Sequence, residues 1–580
     1  MWIVCFFAAL GIALAAVVLM VQLLRRYKRG RVLTPLNVAF AGILLSSVIL
    51  FIPIYIHTME TEHYGAFEAV LLSVHNMIRL FIVDGEFSVV TQNIAGLQPW
   101  LYSAYCVLFS ILFVLAPVLT FSFVLSFFKN IAAYGRLLLN CATEGYVFSE
   151  LNEKSLALAS SIAKQPGRKV FVYTDVFEKE EEESYELVER AHELGAICFK
   201  KDIVTINFKL HTKKSPLHFF AIGEDQAENI SQALKLIELY RVRENTNLYV
   251  ISEQAESELL LANTDCGKIK VRRINEVQSL IYRNLYENGL RIFEHAEDGV
   301  ISAVVVGMGS HGTEMTRALS WFCQMDGYRP YIRAYDMDPK AEEKFRALCP
   351  ELMEKSGNFE DDGEAMYELQ VFGGVHAETE SFLQTVQKLG RVTYVMVALG
   401  NDELNIRIAL RLRALFERLG INPMIQTIVY NSEKCAALQG VKNYSGQEYN
   451  IDFVGDLRST YSYDVVLDSD LEGEALARHM KWGEEDAFWK YEYNYRSSVA
   501  SALHRHMKHA CKMPGIELPP AERSERDLWA LRRMEHRRWN AYMRAEGYVY
   551  APVRNNLAKT HHCLVTFDLL SEKDKMKDDD

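Results

Sequence analysis

Three long, uncharged apolar runs are crowded into the N-terminal quarter of this chain and constrain its fold more than any other feature. They cover residues 2–24, 36–56 and 101–128 of a chain of 580 residues. Each run reaches the ~20 residues that a helix needs to cross the hydrocarbon core of a bilayer. The sequence therefore predicts a membrane α-helical region over residues 1–135 with three spans.

The charges that flank these runs predict how the chain crosses the membrane. Basic residues follow the first run at 25–31 and the third run at Lys129 and Arg136, whereas the segment 57–100 carries five acidic residues and one basic residue, Arg79. Because basic loops stay in the cytosol, we expect a multi-pass protein of the cell (inner or plasma) membrane. Its N-terminus would lie outside, and everything after residue 129 in the cytosol. A cleaved signal peptide would carry its positive charge before the apolar run, not after it.

The stretch 66–83 is open to two interpretations. Apolar residues recur at helical spacing, and the opposite face carries Glu68, His75, Asn76 and Arg79. The stretch is either a re-entrant helix that lines a pore or an amphipathic helix in the outer interface. The absence of a Thr-Val-Gly-Tyr-Gly filter sequence after it favours the interfacial helix.

The remainder of the chain is acidic. Residues 1–140 carry eight basic and five acidic side chains, so the net charge of −12 leaves −15 for residues 141–580. This balance argues against a nucleic-acid partner, because phosphate contacts need a basic face. The ten cysteines form no Cys-x-x-Cys pair, which indicates a reducing compartment. We expect no metal site, since the spacing of His504, His506, His509 and Cys511 does not fit zinc.

After residue 128, short β-branched runs alternate with helical stretches, the pattern of parallel sheets with crossover helices. Two series of six strands are predicted, at 146–149, 169–174, 196–199, 218–222, 247–251 and 269–272, and at 301–306, 331–335, 367–372, 393–399, 424–429 and 450–454. The sequence therefore predicts two α/β Rossmann-like domains, at 140–290 and 298–470.

The first strand of the second series leads into Gly307-Met-Gly309-Ser-His-Gly312 and a helical stretch. These glycines predict a tight turn, a close backbone approach and a helix packed on its strand, with a phosphate on the exposed N–H groups. Asp336 ends the next strand, where a carboxylate accepts from a ribose hydroxyl. The predicted cofactor is NAD or another adenine nucleotide with a free 2′-OH. The alternative is a Rossmann-like turn kept only for structure.

The end of the fourth strand is similar in both series. Phe-Phe-Ala-Ile-Gly-Glu-Asp of the first aligns with Met-Val-Ala-Leu-Gly-Asn-Asp of the second, which pairs Gly223 with Gly400 and Asp225 with Asp402. Glycine permits a sharp turn beside a ligand, and the aspartate can cap the next helix. Gly400 and Asp402 therefore join the predicted cofactor-binding residues.

The equivalent of the glycine-rich turn in the first series, 149–155, contains no glycine, and Glu150 and Leu151 would repel and crowd a phosphate.

Tandem halves of this kind resemble RCK/TrkA-N domains, the regulatory Rossmann domains of potassium channels and Trk transporters. The resemblance covers roughly residues 140–470 and implies nucleotide or ion binding that regulates a membrane pore without redox chemistry. The first half is expected to serve dimerisation or scaffolding.

Residues 526–580 carry a third set of motifs: Leu-Arg-Arg-Met-Glu-His-Arg-Arg-Trp ending at Trp539, Gly-Tyr-Val-Tyr-Ala-Pro-Val-Arg at 547–554, and Lys-Thr-His at 559–561. They resemble the RyR domain, the mainly α-helical repeat of ryanodine receptors, but lack some of its prolines and a tryptophan. Flat aromatic faces beside cationic donors suit a nucleotide. The predicted ligand-binding residues are Trp539, Tyr548, Tyr550, Arg554, Lys559 and His561. The alternative is a small core closed by aromatic residues.

Together these features favour a membrane-anchored, nucleotide-sensing regulatory or effector protein, either ligand-gated and channel-like or regulating ion transport, and not an enzyme. Three spans cannot enclose a pore, so a conducting form would be a homo-oligomer. The predicted order is completed by a helical linker at 471–520 and an RyR domain at 521–580. Two alternatives remain: a membrane-anchored NAD-dependent oxidoreductase, for which no substrate domain is evident after Val454, and a nucleotide-independent membrane scaffold.

Overall fold

The computed structural model describes residues 1–26, 33–62, 65–82, 87–140, 142–176, 182–208, 215–253, 255–357, 360–361 and 364–578. The chain forms two compact units. The first consists of Met1–Leu151 with Arg168–Ser215, and the second of Asn152–Gly167 with Pro216–Asp580.

The first unit begins with five helices: α1 (Trp2–Arg26), α2 (Leu33–Glu62), α3 (Ala66–Phe81), α4 (Phe87–Ile94) and α5 (Pro99–Leu139). Their side chains share one apolar core, which includes Ile54, Tyr105 and Phe109. A Cβ at Gly42 would lie 2.2 Å from the Cβ of Ala16. Glycine at this position therefore lets α1 and α2 cross closely, as small residues do between membrane helices.

Two stretches of these helices are long and apolar enough to cross a membrane, Phe40–Met59 and Pro99–Phe121. They confirm the second and third predicted runs. The prediction of three spans is wrong by this measure, because the described apolar stretch of α1 is only Trp2–Ala16. The predicted orientation rests partly on residues outside the described ones: Lys28, Arg29, Arg31, Asp84 and Glu86.

Helix α3 falls in the stretch with two interpretations, and residue 83 at its predicted end lies outside the described residues. Its buried residues include Ala69, Ser73, Met77 and Leu80. Its exposed apolar residues are Phe67, Val70, Leu71 and Ile78. Such an exposed apolar face suits a lipid interface, and the choice between an interfacial and a re-entrant helix stays a prediction.

Helix α5 continues beyond its apolar part and ends at Leu139, shortly before strand β1 (Glu144–Phe148). The Oδ1 atom of Asn130 accepts from the N–H of Lys200 at 2.9 Å. The ring of Tyr134 packs edge-to-face on Phe199 with centroids 4.9 Å apart. One continuous helix thus joins a candidate membrane stretch to the α/β part of the first unit.

The first series of strands is β1, β2 (Lys169–Tyr173), β3 (Ile197–Cys198), β4 (Leu217–Ala221), β5 (Thr246–Ile251) and β6 (Ile269–Ile274). The sheet order is β3-β2-β1-β4-β5-β6. The helices of this part are α6 (Glu153–Ala163), α7 (Glu182–Glu193), α8 (Gln226–Tyr240), α9 (Ala255–Ala262), α10 (Glu276–Asn288) and α11 (Leu290–Glu294). A 3₁₀ turn occupies Ile203–Thr205.

The second series lies wholly in the second unit. Its strands are β7 (Val300–Val306), β8 (Arg329–Tyr335), a short antiparallel pair β9 (Glu360–Asp361) and β10 (Glu364–Ala365), β11 (Glu368–Phe372), β12 (Tyr394–Val397), β13 (Met424–Ile428) and β14 (Ile451–Val454). Its helices are α12 (Ser310–Phe322), α13 (Ala341–Leu348), α14 (Pro350–Glu354), α15 (Glu380–Lys388), α16 (Asp402–Leu419) and α17 (Ser432–Leu438).

The order of the main second sheet is β11-β8-β7-β12-β13-β14, and its strands are parallel. Numbered within each series, both sheets follow the doubly wound order 3-2-1-4-5-6 of Rossmann folds. All twelve predicted strands are confirmed, as are the two Rossmann-like sheets. In such sheets a ligand binds outside the carboxyl ends of the strands where the order reverses, which in the second sheet is between β7 and β12.

The chain ends in α18 (Leu457–Thr460), α19 (Tyr463–Val466), α20 (Asp470–His479), α21 (Glu485–Lys490), α22 (Glu492–Ala510), α23 (Glu525–Ala545), β15 (Val549–Tyr550), β16 (Thr560–His561) and α24 (Glu572–Lys575), with 3₁₀ turns at Pro520–Glu522, Phe567–Leu569 and Met576–Asp578. Within the predicted helical linker at 471–520, the extended backbone of Tyr491 separates α21 from α22. Val499 and Leu503 of α22 are buried in the core of the second half. The predicted domain boundaries stay predictions.

Candidate functional site

Two of the three predicted turn glycines are required by the fold itself. Gly307 has φ +95°, and a Cβ there would lie 2.4 Å from the carbonyl oxygen of Ala398. A Cβ at Gly312, in the first turn of α12, would lie 1.7 Å from the carbonyl oxygen of Gly307. Both positions therefore exclude a side chain, and the start of α12 packs directly against the turn.

Gly309 differs from Gly307 and Gly312, because neither its backbone conformation nor its surroundings require a glycine. Its φ of −65° suits any residue, and no atom of the described chain lies within 4 Å of a Cβ built on it. It is the exposed N-cap of α12, and among the described residues no side chain caps that helix. The first N–H groups of a helix carry partial positive charge, so this open position suits a phosphate.

Asp336 lies beside this turn at the end of β8. Its Oδ2 accepts from the N–H of Met308 at 2.6 Å, and its Oδ1 accepts from the N–H of Asp338 at 2.7 Å. The carboxylate therefore holds the shape of the glycine turn. Since each carboxylate oxygen has a second lone pair, the predicted bond from a ribose hydroxyl remains compatible with this position.

Gly400 lies on the loop between β12 and α16, and Asp402 is the first residue of α16. Gly400 has φ +77°, a left-handed conformation that favours glycine. Asp402 does not cap α16; the cap is Asn401. The carboxylate of Asp402 instead accepts from the N–H groups of Tyr430 (3.0 Å) and Asn431 (3.1 Å), just after β13. Asp402 therefore ties two neighbouring loops together at the carboxyl edge of the sheet.

The predicted pairing of the two halves is wrong by one residue. The N-cap of α8 is Asp225 and the N-cap of α16 is Asn401, so Asp225 corresponds to Asn401 and not to Asp402. Both halves contain Gly-x-Asp at this point, and that shared motif suggested the wrong pairing. Equivalent residues are those at the same position relative to the start of the helix, and the helix starts one residue earlier relative to the motif in the second half.

A buried asparagine at the same place in both halves was missed. Asn405 accepts from the N–H of Leu399 at 2.7 Å and donates to the carbonyl of Ile428 at 2.8 Å. Asn229 makes equivalent bonds of 2.7 and 3.0 Å between the loop after β4 and the end of β5. Each asparagine lies four residues after the N-cap of its helix. This shared spacing could have identified the equivalent pair from the sequence.

The helix of the first half that corresponds to α12 starts with a side-chain cap. Asn152 caps α6, and its Nδ2 donates to the carbonyl of Ile222 at 2.9 Å. In place of an acid at the end of β2 stands Thr174, whose hydroxyl donates to the carbonyl of Phe148 at 2.9 Å. Asn152 thus caps the helix start that Gly309 leaves open in the second half, and the expected dimerisation or scaffolding role of the first half stays a prediction.

A histidine and a tyrosine that were not predicted lie at the glycine turn. The hydroxyl of Tyr430 is 3.1 Å from Nε2 of His311, and the two rings meet edge-to-face. Burial raises the pKa of Tyr430 to about 12, and the nearby carboxylates of Glu276, Glu253 and Asp402 add to this. Burial lowers the pKa of His311. The pair is therefore uncharged at neutral pH and offers hydrogen bonds beside the turn.

The six residues predicted to bind a ligand near the C-terminus divide into two groups. Tyr548 and His561 are buried, and Trp539 is half-buried with its ring centroid 4.9 Å from that of His561. The exposed group consists of Tyr550, Arg554 and Lys559. Lys559 donates to the carbonyl of Glu546 at 2.9 Å. The structure thus buries or half-buries the first group and leaves the second at the surface.

Ion pairs between side chains that are 10–18% exposed connect α12 to this C-terminal part. Nη2 of Arg317 lies 2.6 Å from Glu546, and Nη1 lies 2.7 Å from Glu314 on the same helix. Arg496 of α22 lies 2.9 Å from Glu546. Burial opposes ionisation of Glu546, but Arg496 and Arg317 hold its pKa below the ordinary value. The helix that starts at the glycine turn is thereby joined to the end of α23.

Of the four residues weighed as a zinc site (His504, His506, His509 and Cys511), the three histidines have separate partners. His504 faces the carbonyl of Gln324 at 3.0 Å, His506 stacks on Tyr286 with ring centroids 4.0 Å apart, and His509 lies 2.8 Å from Glu517. In the described part of the chain these four side chains do not form a group able to hold a metal; the one such group is His561, His562 and Cys563.

No family model and no curated protein matches this sequence. Among solved structures, the crystal structure of the GsuK L97D mutant is similar, with 13% sequence identity over 73% of this chain and 96% of that chain. The TM-score is 0.34, which is too low to establish a shared fold. The Rossmann-like assignment follows from the strand order and parallel pairing described above.

Proposed function

We propose that this protein is a membrane-anchored regulatory protein that binds an adenine nucleotide, such as NAD, at the turn formed by Gly307, Gly309 and Gly312. The observation that carries the proposal is the open N-cap at Gly309, between two glycines that pack tightly against the protein's own backbone. The phosphates would lie on the first N–H groups of α12, with the ribose against Asp336 and the adjacent Gly400–Asp402 loop.

The proposed signal passes along α12. A phosphate at its N-terminus adds contacts to a helix whose Arg317 is bonded to Glu546 and to the carbonyl of Ala545, at 2.7 Å. A ligand can shift an equilibrium only through different affinity for two states, and typical couplings are about 1–3 kcal/mol. The two states proposed here differ in how the start of α12 and the C-terminal part pack.

The C-terminal part would supply a second ligand-facing surface, as the resemblance to RyR domains implies. The exposed residues Tyr550, Arg554 and Lys559 combine an aromatic face with two cationic donors, which suits a phosphorylated ligand. The buried residues Trp539, Tyr548 and His561 would support this surface and would not contact the ligand.

The output would be regulation of ion transport in an oligomer. Two candidate membrane helices per chain cannot enclose a pore, so a conducting assembly would need several copies around a symmetry axis. Helix α5, which continues from its apolar part to Leu139, is the element proposed to transmit the change to the membrane.

The test is thermal unfolding of the full chain in detergent, with and without NAD, NADH, ADP-ribose, ATP and cyclic nucleotides. A ligand at 100 times its Kd should stabilise the parent by about 2.7 kcal/mol. Gly309→Val should abolish this stabilisation because its side chain fills the phosphate position, yet should unfold at the parent temperature without ligand, because no neighbour lies within 4 Å.

The matched control is Gly473→Val, at an exposed glycine of α20 whose Cβ position is equally open. It should keep the full response. Failure of every nucleotide to stabilise the parent, or an undiminished response in Gly309→Val, would overturn the assignment. Turnover of NAD with a substrate would favour an oxidoreductase instead. Lys559→Ala tests the C-terminal surface separately. It should weaken the thermal stabilisation by a ligand that binds at that surface, and Gly309→Val should leave this second stabilisation intact.

A further inference from the structure

We propose that His561, His562 and Cys563 form a binding site for a zinc ion, with the fourth position open to solvent. The ligand atoms of these three consecutive residues all lie within 4.8 Å of one another. Two imidazoles and a thiolate are a donor set that zinc favours, and three protein ligands with an open fourth position are a common arrangement. The proposal does not depend on nucleotide binding at α12.

The three side chains are partly held in place for this role. His561 and Cys563 are buried, whereas His562 is exposed. The two imidazole rings are stacked, with centroids 4.9 Å apart and planes 8° apart. Ligand atoms on a tetrahedral zinc lie about 3.3–3.8 Å apart, given bond lengths of about 2.0–2.3 Å. Zinc binding would require the exposed His562 side chain to rotate out of this stack and close the remaining gap.

The backbone directs one ligand toward the others. The N–H of Cys563 donates to Nδ1 of His561 at 3.1 Å, so that lone pair faces the residue that carries the thiol. A metal at Nδ1 would replace this single hydrogen bond. Trp539 packs edge-to-face against the His561 ring and limits how the imidazole can turn, as outer partners orient the ligands of metal sites.

A positive charge already stands beside these ligands. Nζ of Lys577 lies 2.6 Å from Asp574. Asp574 interacts electrostatically with both His561 and His562, and Lys577 interacts with Cys563. The carboxylate of Asp574 therefore favours a positive charge at these ligands, whereas the ammonium group of Lys577 and the guanidinium of Arg554 oppose one. Because like charges repel, zinc would bind more tightly if this ammonium group were removed.

The experiment uses the full chain, purified in detergent without a polyhistidine tag. One equivalent of zinc should bind in competition with a chelator. Replacement by cobalt should give the intense visible bands of tetrahedral cobalt and a thiolate-to-cobalt charge-transfer band. Cys563→Ser should lose that band and weaken zinc binding about 100-fold or more, since even outer partners of metal ligands contribute 10–100-fold. Lys577→Gln should bind zinc more tightly than the parent.

The control is Cys511→Ser, which removes a half-buried thiol near three other histidines. It should keep both the charge-transfer band and the parent affinity. The proposal is overturned if the parent shows no thiolate band, if the band survives in Cys563→Ser, or if Cys511→Ser removes it. Nucleotide-induced stabilisation measured on the same variants reports separately on the turn at Gly309.

Discussion

At the scale of single residues, the second unit holds charges deep in its core. Glu535 is surrounded by Lys508 at 3.0 Å, Arg538 at 2.8 Å and His504, whose Nδ1 lies 3.8 Å away. Burial opposes ionisation of Glu535, but these cationic neighbours hold its pKa well below the ordinary value. With Lys508 and Arg538 already present, a third positive charge on His504 is not needed to balance the carboxylate.

His504 should make stability depend on pH. Burial lowers the pKa of His504 to about 4, despite the opposing effect of Glu535, whereas the unfolded chain takes up that proton near 6.5. The stability that the neutral His504 side chain contributes is therefore fully present above pH 6.5 and is lost as the pH falls toward 4. Between pH 7 and pH 5 we expect the unfolding free energy to fall by about 1–2 kcal/mol from this group.

Unfolding of His504→Gln in denaturant at pH 7 and pH 5 checks this prediction. Glutamine can still donate to the carbonyl of Gln324 but cannot be protonated, so the variant should show a shallower decrease than the parent. His376→Gln, at an exposed histidine, should retain the parent slope. Identical slopes for the parent and His504→Gln would contradict the assignment.

At the scale of secondary-structure elements, the first turn of α12 and the turn that follows it make different kinds of contact. Its first turn carries Gly309 and Gly312 at the open N-cap, and one turn later Glu314 and Arg317 enter the ion network with Glu546. A side chain at Gly312 would meet backbone, whereas one at Gly309 would meet none within 4 Å. The element therefore combines a tightly packed contact with an open end, as a ligand-responsive helix requires.

Glu546→Gln should destabilise the second unit by about 3–5 kcal/mol, because it leaves Arg317 and Arg496, which are only 12% and 18% exposed, with too little negative charge. Denaturant unfolding followed by tryptophan fluorescence measures the change. The matched control is Glu342→Gln, which breaks a pair with Arg346 in which both side chains are 51% exposed. That loss should be about 0.5 kcal/mol or less, and similar losses in the two variants would contradict the role of the network.

At the scale of the whole molecule, the two candidate membrane helices make a topological prediction. Two crossings return the chain to the side on which it began, so tags placed before Met1 and after Asp580 should face the same compartment. Protease accessibility in right-side-out and inverted vesicles reports this. The protein should also remain in the membrane pellet after an alkaline wash. Tags on opposite sides would indicate a third crossing and contradict the two-helix finding.

Local periodicity was sufficient to predict most of the elements. Every predicted strand is present because the alternation of β-branched runs with helical stretches is a local property of a parallel sheet. The glycine turn was also predictable, since strand, glycines and helix follow one another within a few residues. The break at Tyr491 was not predictable, because Phe488, Tyr491 and Tyr495 continue at helical spacing through it.

The sequence by itself determined the apolar N-terminal region, the doubled α/β pattern and the location of the glycine-rich turn, because each depends on neighbours in the chain. Only the tertiary structure decided that Asp402 binds the loop after β13, that Asn405 and Asn229 are equivalent, and that Arg317 pairs with Glu546. It also separated the buried from the exposed residues of the C-terminal part. These contacts join residues distant in sequence, and their partners are chosen by which surfaces the sheet and its helices bring together.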